Sequence, residues 1–257
     1  MTLQTYLNRP QLKADFLAEL AKHEEHDALI KGTYGTMNRL FKGCAIGCAL
    51  HSLNILQGKV GAATALDTDK HARYEAELGL PRWFAYLEDQ IFEELPDALA
   101  KTWPRRIAEA IPVGAIVNDL VLAKILRWML ADTEFGERHA TDDDEVRGHI
   151  DGVIAGFDAE ISTGCRATAE QREAAAMDAR VSWVAAAAWG TWAARATEDV
   201  GDERWVTWTA GAAKAAWAGA ATPASRAKAD AFFPALSEYV LGLVRALPVT
   251  TVRRDAN

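Results

Sequence analysis

The sequence predicts an all-α protein, a multi-helix bundle of about eight to ten helices. Three observations support this. Apolar residues recur at steps of three and four along nearly the whole chain. Convincing apolar–polar alternation is missing, and the only β-branched cluster, Val249-Thr250-Thr251-Val252, falls in an expected tail. Pro and Gly sit at the ends of the periodic stretches, where helices start and stop.

Asn8 can cap a first helix, with Pro10 in its first turn. Leu12, Phe16, Leu20, His23, Asp27 and Ile30 then share one face. Lys31-Gly32-Thr33-Tyr34-Gly35 breaks that helix. The spacing predicts a second helix from about Met37 to Gln57, with Met37, Leu40, Phe41, Cys44, Cys48, His51 and Ile55 on its apolar side. Asp67-Thr68-Asp69 can start a short helix through Glu77, stopped before Pro81. Pro81 opens a helix over Arg82 to Leu95, and Pro96 ends it. A short turn follows over 97–102, then a helix from Pro104 to Pro112 and a buried one from Ala115 to Ala131. Asp132 to Ala140 is polar and reads as a linker. Thr141 with Asp142, Asp143 and Asp144 marks the next start, since carboxylates favour a helix N-terminus. Val146, Ile150, Val153, Ile154, Phe157 and Ile161 give that helix a buried face. Longer helices are expected at about 168–197, 203–220 and 224–246.

The chain reads as one all-helical domain over 1–257, with a sub-division into a motif-bearing half (1–135) and an Ala/Trp-rich bundle (141–250). Half of its 257 residues are hydrophobic, enough for a substantial core. In the second half Ala dominates, with Trp183, Trp189, Trp192, Trp205, Trp208 and Trp217. Alanine lets helices approach closely, and tryptophan fills the gaps that remain.

A net charge of −8 without a Lys/Arg run argues against binding nucleic acid through its phosphates. No apolar run reaches ~18 residues, so no membrane span is expected. Three cysteines and no apolar segment after Met1 predict a cytoplasmic protein with free thiols.

Lys42 to Ser52 is the densest chemistry in the chain. Cys44, Cys48 and His51 lie at i, i+4 and i+7 and share a helical face. A helix N-terminus and Lys42 favour thiolate at Cys44, a candidate nucleophile or redox thiol. His51, roughly 10 Å further along the axis, can reach only Cys48. In a second reading the three bind a soft metal with a ligand from another helix. In a third, both cysteines are small buried hydrophobes. The spacing matches no standard zinc motif, so no tightly bound structural zinc is expected, and no motif identifies a cofactor.

Gly43 and Gly47 cost roughly 1 kcal/mol each inside a helix. Close helix–helix contact is the expected compensation, with approach of a loop or ligand as the alternative. His23 and Asp27, one turn apart, suit an oriented base or a hydrogen-bonded pair at the core edge. Lys31, Gly32 and Tyr34, with Lys42 and Gly43, offer an anion-binding loop. No Walker, Rossmann or Gly-x-Ser-x-Gly pattern is present. Asp89 and Glu93, at i and i+4, are expected on a solvated face.

Several blocks resemble a family of uncharacterised bacterial and phage proteins. These are Lys31 to Gly35, Phe41 to Ser52, Tyr74 to Pro81, Leu87 to Pro96, and Trp103-Pro104. The Ala/Trp-rich tail is loosely similar to helical proteins described as immunity proteins. Neither resemblance implies an activity or supplies a catalytic residue. The leading expectation is a small-molecule or catalytic site on the first two helices and the loop between them, using Cys44, Cys48, His51, His23 and Lys42. The alternative is a non-enzymatic interaction protein whose acidic helical surface binds a protein partner.

Overall fold

A computed structural model describes residues 3–37, 40–59, 71–165, 168, 205–219 and 222–249. Among these the fold is all-α, apart from a ribbon with two residues per strand. The chain divides into two compact units: Met1–Val117 with Ser237–Asn257, and Asn118–Leu236. No helix among the described residues is long and apolar enough to cross a membrane.

The first unit opens with a tight turn, Thr5–Asn8. Tyr6, Leu7 and Asn8 all take left-handed angles (φ 54°, 51° and 53°). Each costs about 1–2 kcal/mol against the right-handed form, so the turn depends on its anchors. The buried Thr5 hydroxyl donates to Pro112 O and accepts from Ala115 N–H. Tyr6 Oη donates to Ala108 O at 2.6 Å. Helix α1 (Pro10–Glu25) follows, with Pro10 in its first turn as expected but Arg9, not Asn8, at the N-cap. It buries Phe16, Leu20 and His23 and packs on α2 and α5.

The second helix starts later than its spacing suggests. Strand β1 (Thr36–Met37) pairs antiparallel with β2 (Phe41–Lys42), and α2 spans only Ala45–Leu56. The cause is Gly43, whose backbone is already committed. Its N–H donates to Ala28 O and its carbonyl accepts from Ile30 N–H, both at 2.9 Å. Beyond a π-helical turn (Tyr74–Leu78) come α3 (Arg82–Glu94), α4 (Asp97–Ala100) and α5 (Trp103–Ala110). Trp103, Tyr6, Tyr74, Phe84, Phe92, Ile46 and Leu50 are among the most buried side chains of this unit. Val249, expected in a free tail, forms a bridge with Ala115. That pairing keeps the chain extended there, and helix α6 (Asp119–Ala131) begins only after Asn118, which caps it.

In the second unit, Asp132 Oδ1 accepts from the N–H groups of Glu134 and Phe135, so the expected linker is a fixed turn. Asp143 caps α7 (Asp144–Thr163), and left-handed Gly164 ends it, as the sequence predicts. Helices α8 (Trp205–Gly219) and α9 (Pro223–Arg245) match expectation; the unit includes α9 up to Leu236. Trp217 is buried and donates to Phe135 O at 2.8 Å, whereas Trp208 is 55% exposed. The helix expected at 168–197, with Trp183, Trp189 and Trp192, lies outside the described residues, as does the side chain of Trp205.

Candidate functional site

The loop Lys31–Gly35 lies across the start of α2 at backbone contact. A Cβ added at Gly47 would sit 1.6 Å from Tyr34 O, and one at Gly43 would sit 2.5 Å from the same oxygen. The two glycines therefore make room for a loop, not for the helix–helix contact expected of them. Gly43 also precedes the helix rather than interrupting it.

Beneath that loop, Cys44 is the N-cap of α2. Its backbone is extended, its Sγ accepts from Gly47 N–H at 3.5 Å, and its own N–H donates to Thr33 O at 2.7 Å. Helix α3 supplies the opposing wall. Its buried face is apolar apart from Glu88, and Tyr86, Asp89 and Glu93 follow one another at single-turn spacing on a half-buried face. Cys44 Sγ and one oxygen each from Asp89 and Glu93 lie within 4.8 Å of one another. Gly32 N–H fixes Glu93, reaching its two oxygens at 2.9 and 3.0 Å. The loop expected to bind an anion thus holds the protein's own carboxylate. Lys31 is turned away, donating to Leu95 O and pairing with Asp97 at 3.1 Å. Aromatic rings complete the wall: His71 stacks on Tyr86 (3.7 Å) and meets Tyr34 edge-on (6.1 Å).

The electrostatics follow from burial beside carboxylates. Burial pushes the Cys44 thiol far up, and Asp89 and Glu93 push it further; only the Gly47 N–H opposes them. Cys44 is therefore a protonated thiol and not the activated nucleophile that a helix N-terminus near Lys42 suggests. Tyr34 is pushed up to about 12, by burial first and then by Asp89 and Cys44. Glu88, behind this face and fully buried, is pushed up to about 8 by burial and by Asp89.

The remaining candidates lie elsewhere. Cys48 is completely buried, its thiol directed at Gly43 O (3.5 Å) and Ala28 O (3.7 Å), and burial pushes it up to about 12. It is a core residue. His51 meets not a cysteine but His23, with Nδ1 and Nε2 3.2 Å apart, and stacks on Phe41 at 4.3 Å. Burial, then the other histidines, brings His23 down to about 4; burial also lowers His51. Both rings are therefore neutral at neutral pH, one donating to the other. The expected His23–Asp27 pair does not form, because α1 ends at Glu25. Asp27 turns out with φ 50° and pairs with Lys101 at 2.6 Å. Lys42 lies in β2, where its charge acts on Asp27 and not on the thiol.

The structure thus joins Cys44, Gly32, Tyr34, Gly43 and Gly47 in one place, sets His23 and His51 in another, and leaves Asp27 and Lys31 in surface pairs. Asp89 and Glu93 are the important additions. Their one-turn spacing was visible, but nothing in it distinguishes a solvated face from a site wall. No family model, curated protein or solved structure matches the chain.

Proposed function

We propose that this protein acts through a small-molecule site formed by the Lys31–Gly35 loop, the N-terminus of α2 and the Asp89/Glu93 face of α3. One observation carries the proposal: a thiol and two carboxyl groups from two separate elements converge within 4.8 Å, beside aromatic rings. Carboxyl oxygens beside a polarisable sulfur are donor atoms that suit a positively charged ligand. The aromatic faces of Tyr34 and Tyr86 would also favour a cation. Chemistry by a free thiolate does not fit, because the surroundings of Cys44 hold it protonated.

A thermal-shift screen of primary and quaternary amines and divalent cations tests this reading. Compounds that stabilise the wild type should lose their effect in Asp89→Asn and Glu93→Gln. Equal stabilisation of wild type and both variants would refute it. The interaction-protein alternative draws on an exposed tryptophan patch. Among the tryptophans whose side chains are described, only Trp208 of α8 is exposed, and Trp83, Trp103, Trp128 and Trp217 are buried.

A further inference from the structure

We propose that Cys44, Asp89 and Glu93 bind one exchangeable divalent transition-metal ion of the zinc or cobalt type. This rests on the site reading above and names its ligand.

The donors are a thiol at the N-cap of α2 and two carboxylates one turn apart on α3, all within 4.8 Å of one another. This is not a solvated acidic patch. Cys44 is 1% exposed, and Asp89 and Glu93 are half-buried. Two donors are already aimed by backbone amides: Gly47 N–H on Cys44 Sγ, and Gly32 N–H on Glu93. Supporting hydrogen bonds of this kind orient metal ligands and tune them. Carboxylates alone would suit magnesium or calcium, but a thiolate shifts the preference to softer ions. Three protein ligands leave a coordination position open, the pattern of an exchangeable or catalytic site and not of a closed structural one.

The proton balance is simple. On binding, the Cys44 S–H bond breaks, its proton leaves to solvent, and a sulfur–metal bond forms. No electron is transferred. Affinity should therefore rise about tenfold per pH unit while the thiol is protonated.

Cobalt(II) added to the chelator-treated full-length protein provides the test, because a cobalt–thiolate bond absorbs in the near ultraviolet. The expected result is one cobalt per chain with that charge-transfer band. Cys44→Ser should lose the band yet stay folded by circular dichroism, because serine is a preferred N-cap. Glu93→Gln should weaken binding at least ~10–100-fold, the range found for losing even a supporting partner. Absence of the band in the wild type, or its survival in Cys44→Ser, would overturn the proposal. If amines stabilise the wild type but not Asp89→Asn, and no cobalt band appears, the small-molecule site stands and the metal is wrong.

Discussion

Replacing Gly47 with alanine should destabilise the protein, although alanine is the better helix former. The added Cβ would lie 1.6 Å from Tyr34 O, 2.6 Å from Tyr34 C and 3.3 Å from Tyr34 Cα. These are backbone atoms, so no rotamer change relieves the clash; the loop itself must retreat. That retreat pulls on Thr33 O, which accepts from Cys44 N–H, and on Gly32 N–H, which holds Glu93. Overpacking costs typically about 1–3 kcal/mol, and contact this close belongs at the upper end. Helix propensity returns about 1 kcal/mol. The net loss is then about 2 kcal/mol, which lowers Tm by about 4–8 °C in a chain of this size. Gly148→Ala is the control: Gly148 lies on the exposed side of α7 with nothing within 4 Å of the new Cβ, so Tm should rise slightly. Differential scanning fluorimetry reads both. Should Gly47→Ala melt at or above the wild type, the loop does not lie on α2 as described.

Thiol reagents should label Cys165, which is exposed, in the native protein, and reach buried Cys44 and Cys48 only after denaturation. Rapid labelling of Cys44 in the native state would contradict its burial. Stability should depend on pH through two buried groups with opposite signs. His23 falls from 6.5 to about 4 on folding, so the folded state binds its proton more weakly and stability rises as pH climbs through that window. The full effect is up to about 3 kcal/mol, and His23→Gln should remove it. Glu88 rises from 4.5 to about 8, so its contribution is complete below pH 4.5 and lost as pH rises through about 8. Glu88→Gln should flatten that decline in urea melts taken across pH; an unchanged decline would place the titration elsewhere. Thr5→Val leaves Ala115 N–H and Pro112 O without the hydroxyl that joins them, a cost of roughly 1–3 kcal/mol by urea denaturation.

Helix existence was legible because burial leaves a periodic trace. The stops at Pro96 and Gly164 and the acidic start at Asp143 follow local rules, and the structure keeps them. The stretch from Met37 to Cys44 departs from the helix its spacing predicts for a physical reason. Its apolar residues fit helical spacing, but Gly43 pairs with Ala28 and Ile30, contacts no local rule contains. The same limit explains the site. Cys44 and the two glycines stood out by composition, whereas their meaning came from Tyr34 O above them and from α3 opposite. Asp89 and Glu93 looked like any surface pair, because the thiol they face is distant in sequence. A His23–Asp27 pair requires α1 to continue one more turn. It ends at Glu25, and Asp27 swings outward.

The most direct measurement for the central claim is a crystal structure of the protein soaked with zinc chloride and, separately, with small amines, with anomalous maps recorded at the zinc edge. The account predicts density for the cation bounded by Cys44, Asp89 and Glu93, with Tyr34 O still resting on Gly47. Cys44 held apart from both carboxylates, or density only at other places on the protein, would contradict it.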